Sequence, residues 1–266
     1  MDRGGLEWVE KMKKVGIPYA QQEFNDLRSW ANQTAPSCDE QEEILEDALK
    51  RRLEREPFAY IVGSQPFYHR SFIVTKNVLI PRPETEQLIE HVLSVLNAHT
   101  QDSIVDCGTG SGAIAVTLAC EIPTLTMIGV DQSESALKTA KENAHRLGAV
   151  VDFRCGDLLS PLGKERIDAI VANLPYVPER LRQHLEPELT FEPEQALFAL
   201  QDGLEIIQRF IQQVKGLHNH PLLWLEILPE QVERVTRLLL TTLGGTVVAL
   251  PDLSNTIRFL HWKPSV

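Results

Sequence analysis

No two cysteines of this 266-residue chain stand close enough in sequence to suggest a zinc knuckle or a redox dithiol: Cys38, Cys107, Cys120 and Cys155 are scattered, with no C-x-x-C pair. They are expected to be reduced thiols in or near the core. Apolar runs of membrane length are also missing, and the start, MDRGGLEWVEKMKK, interleaves charges where a signal peptide would be continuously apolar. A cytoplasmic protein without a membrane span is expected. Positive charge is scarce, with 26 Lys and Arg against 37 Asp and Glu and a net charge of −11. Binding along phosphate backbones draws on clustered Lys and Arg, so direct nucleic-acid binding is not expected. Repeats and low-complexity tracts are absent. What remains, 43% hydrophobic and 24% charged residues, suits a globular chain of one large or two modest domains.

The chain changes character twice. Through about residue 60 it is charged and helical in period: Val9, Met12 and Lys13 share a face, Phe24, Leu27 and Trp30 fall at three-residue steps, and Ile44, Leu45, Ala48, Leu49 and Leu53 form a further stripe. This predicts a small helical domain over residues 1–60. Residues 61–83 then alternate, Phe67, His69, Ser71 and Ile73 against Tyr68, Arg70, Phe72 and Val74, which predicts a strand, a turn at Lys76-Asn77 and a return strand Val78–Ile80. That hairpin would link the helical domain to residues 84–266. Pro83-Glu84-Thr85-Glu86 opens a helix with acids in its first turn, where the dipole favours them. From Ser103 strands and helices alternate to the end, so the fold class is α/β, a Rossmann-like parallel sheet with helices on both faces and an antiparallel edge near the C-terminus.

The chemistry-bearing residues fall where strands end, the place open α/β sheets bind ligands. Gly108-Thr109-Gly110-Ser111-Gly112 joins a strand to a helix, and its glycines let backbone approach a ligand that any Cβ would obstruct. Position 113 is Ala, which the looser dinucleotide fingerprint tolerates. Asp131 ends the second strand about twenty residues on, placed to accept from ribose hydroxyls. Asp157 follows the third strand and can accept from an adenine amine. The fourth strand runs into Asn173-Leu174-Pro175-Tyr176, which combines an amide, a stiffened backbone and an aromatic face suited to a planar amide or amino group.

This series, Asp-x-Gly-x-Gly-x-Gly, then Asp131, Asp157 and Asn-x-Pro-Tyr, resembles the class I S-adenosylmethionine-dependent methyltransferases that act on amino groups. With Gly63-Ser-Gln-Pro-Phe67, Ile80-Pro-Arg-Pro-Glu-Thr-Glu86, Phe191-Glu-Pro193 and Gly203 added, nearly the whole chain resembles the release factor glutamine N5-methyltransferases. The resemblance implies S-adenosyl-L-methionine as cofactor and peptide chain release factors as substrates, modified on the glutamine of their Gly-Gly-Gln motif. It implies that Gly108–Gly112 cradle the cofactor's methionine end, that Asp131 takes its ribose and Asp157 its adenine, and that Asn173, which also touches the cofactor, holds the glutamine with Leu174, Pro175 and Tyr176. The helical domain would recognise the protein substrate. Three positions depart from the family pattern: Leu174 replaces a usual Pro, Leu158 a frequent aromatic, and Glu226-Ile-Leu-Pro229 the usual Glu-Ile-Gly-Tyr. No metal is assigned, and a monomer is expected.

An amide nitrogen is a poor nucleophile because its lone pair is delocalised into the carbonyl. Acceptors on its two N–H bonds, the Asn173 side-chain oxygen and the Leu174 carbonyl, would orient that lone pair without a strong base, so positioning carries the rate. Two alternatives remain at this stage: an rRNA adenine N6-methyltransferase, which shares Asn-Leu-Pro-Tyr but is opposed by the charge balance and by an extra domain placed before the core, and a non-catalytic module on a degenerate fold. A nicotinamide dehydrogenase would not explain Asn173–Tyr176. Glu192 reads as either a loop carboxylate or a substrate-side contact, the former preferred.

Overall fold

The computed structural model describes residues 3–96, 102–200 and 202–265; Met1 and Asp2, the start of the expected helical domain, lie outside them. The chain divides into two units, one running to Ser64 with Glu186–Phe191 added, the other Gln65–Leu185 with Glu192 onward.

The first unit holds α1 (Arg3–Lys14), α2 (Ala20–Thr34), α3 (Cys38–Leu53) and the short α4 (Phe58–Val62). The expected stripes make its core: Val9, Met12, Phe24, Leu27, Ala48 and Leu49 are buried together. Ser37 starts α3 with a reciprocal cap, its hydroxyl accepting the Glu40 N–H at 3.3 Å while the Glu40 carboxylate accepts the Ser37 N–H at 3.4 Å. The segment Glu186–Phe191 joins this unit through Glu188, which accepts from Arg55 at 2.7 and 2.6 Å and pairs with Arg52 at 3.0 Å. The expected boundaries did not include this return of the chain.

Where a long alternating strand was expected, there is a tight hairpin of β1 (Ser64–Phe67) and β2 (Arg70–Ile73). Tyr68 and His69 form its turn in left-handed backbone, φ 45 and 60°. Such turns favour Asn-Gly, so Tyr-His hides the reversal. Tertiary bonds hold it: the Tyr68 N–H donates to Glu86 at 3.1 Å and its hydroxyl to Glu90 at 2.7 Å. Val78–Ile80 is no return strand; the Ile80 N–H donates to the Glu192 carboxylate at 3.0 Å, not to a ladder. Asn143 fastens the hairpin to the glycine turn, exchanging bonds with the Ile73 backbone at 2.7 and 3.0 Å and donating to the Ser111 carbonyl at 2.9 Å.

The remaining elements follow as α5 (Pro83–Val95), β3 (Ser103–Cys107), α6 (Ala113–Glu121), β4 (Thr126–Asp131), α7 (Glu134–Leu147), β5 (Val151–Cys155), β6 (Ala169–Ala172), β7 (Val177–Pro178), α8 (Glu194–Leu197), β8 (Phe198–Ala199), α9 (Glu205–Lys215), β9 (Leu222–Glu226), α10 (Val232–Leu243), β10 (Thr246–Pro251) and β11 (Ile257–Lys263). Among the described residues, seven strands form one sheet in the order β10-β11-β9-β6-β3-β4-β5, parallel except where β11 pairs antiparallel with β9 and β10. Side chains alternate between its faces, with Val105, Val130, Ile170 and Leu225 in one core and Ile104, Met127, Val171 and Trp224 in the other. Burial on both faces is why these strands read as continuous apolar runs. The order reverses beside β3, which places the switch-point crevice at the carboxyl ends of β3, β4, β5 and β6. Cys107 is buried, but Cys38 and Cys155 are exposed, against the expected near-core placement.

Candidate active site

At those strand ends lies a cleft of about 790 Å³, including its open mouth, lined among others by Gly108, Gly110, Asp131, Asp157, Asn173, Leu174 and Pro175. The glycine turn forms one wall. Gly108, Gly110 and Gly112 all have left-handed backbone, φ 80, 55 and 81°, but their surroundings differ. A Cβ on Gly110 would meet no atom nearer than the Gly108 carbonyl at 4.0 Å, so it would stand in open cleft. A Cβ on Gly112 would press on Ala140 and Val116 at 3.2 and 3.3 Å, which is packing between α6 and α7. Of the turn residues expected to cradle a ligand, Gly108 and Gly110 line the cleft, whereas the side chains of Thr109 and Ser111 are buried.

Thr109 instead serves the turn, donating its hydroxyl to Asp106 Oδ2 at 2.6 Å, and the same oxygen accepts the Ala115 N–H at 3.1 Å. Asp106 Oδ1 has no partner among the described residues, and burial pushes the carboxyl up to about 7 against these bonds. Asp131 closes the turn from the other side. Its Oδ2 accepts the Gly110 N–H and its Oδ1 the Ser133 N–H, both at 2.9 Å, leaving a lone pair on each oxygen for a ligand. Burial holds its carboxyl above the ordinary value while those N–H groups oppose. Asp157 is half-exposed and carries an ion pair with Arg209, which lines the cleft as well. Leu158 beside it has φ 51°, a conformation uncommon for a side-chain-bearing residue.

Asn173 follows β6, and its Nδ2 donates to Thr85 Oγ1 at 3.1 Å. Thr85 donates in turn to Glu226 Oε2 at 2.9 Å, and the Tyr176 hydroxyl donates to Glu226 Oε1 at 3.0 Å. Burial, reinforced by the Glu226 charge, pushes the Tyr176 phenol well above its usual range, so it stays a neutral donor. The Tyr176 carbonyl accepts from Gln231 Nε2 at 2.9 Å. Gly203, φ 81°, makes room for that carbonyl, which any Cβ there would strike. Glu192, expected as a loop carboxylate or a substrate-side contact, is buried: it accepts from Ile80 and pairs with Arg82, tying together the segments that bring Leu79 and Pro193 to the cleft wall. Among the described residues, no group of three or more His, Cys, Asp or Glu is placed to hold a metal, and no helix is long and apolar enough to cross a membrane.

Comparison with known proteins matches residues 85–199 to the Methyltransferase small domain and residues 21–63 to the PrmC N-terminal domain. A release factor glutamine methyltransferase of Bacillus cereus is 42% identical over 208 residues, 76% of this chain and 74% of that protein. That of Coxiella burnetii is 41% identical over 223 residues, 83% of this chain and 79% of that one. The chain belongs to the release factor glutamine methyltransferase family. Solved structures share its fold at low identity. A 16S rRNA methyltransferase of T. thermophilus in complex with AdoMet and guanosine gives a TM-score of 0.55 at 15% identity, covering 76% of this chain and 50% of that one. A methyltransferase from Pyrococcus furiosus gives 0.55 at 13%, covering 83% and 100%.

Four residues in or beside this cleft escape sequence reading: Arg209, which lines it, and Thr85, Glu226 and Gln231, which bond to Asn173, Tyr176 or each other. Thr85 reads as part of a helix start, and Glu226 stands in a stretch legible only as a departure from the family pattern. The available signal was positional, since a carboxylate that ends a parallel strand next to the one bearing Asn173 belongs to the same crevice.

Proposed function

We propose that this protein transfers the methyl group of S-adenosylmethionine to the side-chain amide nitrogen (N5) of the glutamine in the Gly-Gly-Gln motif of peptide chain release factors. The observation that carries this reading is the orientation of Asn173 at the cleft: its NH2 is engaged by Thr85, which leaves Oδ1 free to accept. The residues present fit the cofactor, because Gly110 keeps an open wall that any side chain would fill and Asp131 offers a half-buried, hydrogen-bonded carboxylate with free lone pairs. Gly108, Gly110, Asp131 and Asp157 would hold it. Bound there, S-adenosylmethionine supplies a methyl on positively charged sulfur, an electrophile needing no further activation by the protein.

The chain's own work is then orientation. Asn173 Oδ1 and the Leu174 carbonyl each accept one N–H of the glutamine amide, so that the nitrogen's remaining lone pair points out of the plane its two acceptors define. Thr85 holds the Asn173 amide before substrate arrives, so little reorganisation of that acceptor is required. Leu174 and a proline present the same carbonyl, and Pro175 restrains the preceding backbone in either case. The helical unit recognises the body of the release factor, since one glutamine side chain offers little area for affinity.

Labelled cofactor tests the reading. Wild-type protein should label a purified release factor and leave its Gly-Gly-Gln variant with Gln→Ala unlabelled. Label on both, on neither, or on ribosomal adenine instead would refute it.

A further inference from the structure

Behind the substrate-facing residues, the polar groups converge on one carboxylate. Glu226, the last residue of β9, is 4% exposed, and its two oxygens take one hydroxyl each, from Thr85 at 2.9 Å and from Tyr176 at 3.0 Å. A hydroxyl has a single proton. With that of Thr85 committed to Glu226, Thr85 can offer Asn173 only a lone pair, and Asn173 must turn its NH2 inward, as the 3.1 Å bond shows. The side-chain oxygen then faces outward. The direction of every bond in this chain is thus set by the Glu226 carboxylate, each of whose oxygens accepts a hydroxyl.

We propose that Glu226 is the positioning residue for methyl transfer: its carboxylate, acting through Thr85, fixes which end of the Asn173 amide faces the substrate, and it holds Tyr176 directly. This rests on the function proposed above. Glu226 touches neither substrate nor cofactor; it acts by leaving Thr85 and Tyr176 no choice but to donate. Without that constraint Thr85 can donate to Asn173 Oδ1, which reverses the amide and presents NH2 groups to a substrate that is itself a donor. Two facing donors repel, and the glutamine loses its acceptor. Burial raises the Glu226 carboxyl above its ordinary value, with Glu84 acting in the same sense, while the Thr85 and Tyr176 hydroxyls and the Arg258 charge oppose it; Arg82 acts on Tyr176.

Glu226→Gln makes the test, because a carboxamide nearly matches the carboxylate in shape but offers one acceptor and one donor where two acceptors are needed. In steady-state assays with release factor, kcat should fall by about tenfold to a hundredfold, the scale of a misplaced reacting group. The KM for release factor and the cofactor dissociation constant by calorimetry should each stay within about threefold, since the lost interaction orients and does not bind. Thr85→Val should match Glu226→Gln, the double variant should be no worse than either, and Thr85→Ser should keep wild-type kcat because it retains the hydroxyl. A spectroscopic readout is independent of turnover. The Asn173 side-chain NH2 resonance, identified by its loss in Asn173→Asp, should move in Thr85→Val and Glu226→Gln and stay in place in Thr85→Ser. Wild-type kcat in folded Glu226→Gln and Thr85→Val would overturn the proposal. So would a joint fall of kcat, cofactor affinity and melting temperature, which marks a purely structural acid. If the wild type methylates no release factor while the resonance moves as stated, the functional reading fails and the relay to Asn173 stands.

Discussion

Gly110→Ala separates the ligand-facing side of the glycine turn from its packing side. Residue 110 sits at φ 55°, where an L side chain costs about 1–2 kcal/mol, and nothing in the protein lies closer to the new Cβ than 4.0 Å. The folded protein therefore loses only that backbone term, a drop in melting temperature of roughly 2–8 °C at 2–4 °C per kcal/mol for this chain length. The methyl group nevertheless stands in the cleft, where the cofactor must approach the turn. Affinity for S-adenosylmethionine should fall by at least about tenfold, or 1.4 kcal/mol, and further in Gly110→Val. Gly112→Ala should do the reverse, because its Cβ meets Ala140 and Val116 at 3.2 to 3.3 Å and disturbs α6 against α7 before it disturbs any ligand. Isothermal calorimetry and thermal melts on the same preparations give both quantities. Unchanged affinity in a folded Gly110→Val protein would refute the assignment of this wall to the cofactor.

Asn173→Ala should leave cofactor affinity within about threefold and lower kcat on release factor by roughly a hundredfold, the cost of removing one preorganised polar group; equal kcat in a quench assay would contradict its role. Asp106 should make stability fall with rising pH: a carboxyl raised from 3.8 to about 7 contributes fully below the lower value and loses that contribution as pH climbs through the higher one. Asp106→Asn, always neutral, should flatten the melting-temperature profile between about pH 5 and pH 8, and a profile as steep as the wild type's would count against this account. At Glu188 burial raises the carboxyl, but the bonds from Arg55 and Arg52 outweigh it and hold the value below the ordinary 4.5. Its contribution is thus present above 4.5 and lost as pH falls through the lower folded value. Amide exchange in α3 should accelerate on acidification in wild type and be fast already at neutral pH in Glu188→Gln; identical exchange in both would show that the ion pairs do not hold this unit.

How much of this was legible depended on the range of the interaction. The parallel strands announced themselves because burial on both faces leaves an apolar run, and the glycine turn because left-handed backbone restricts residue choice at 108, 110 and 112. The helix ending at Gly148 carried its own stop signal. Illegible features depend on partners far away in sequence. Tyr68-His69 turns because Glu86 and Glu90 hold Tyr68, and no local preference reports that. Thr109 and Ser111 sit in the motif yet face inward, since a spacing pattern fixes the path of the backbone and not the side each residue presents. Glu226 and Thr85 are 141 residues apart, and only the sheet order reveals that both belong with Asn173.

The return of Glu186–Phe191 to the helical unit has a consequence for synthesis. Arg55 and Glu188 are 133 residues apart, so at the ordinary elongation rate the arginine waits roughly 7 to 27 s for its carboxylate. The helical unit is therefore not completed as it is made, and its ion pairs with Glu188 close only after the four parallel strands β3, β4, β5 and β6 have been made. A loop of that size must be closed against its own entropy, which makes the helical unit dependent on the order in which the rest of the chain collapses. Removing residues 1–60 would not excise a free-standing module; it would strand Glu188 without the two arginines that hold it.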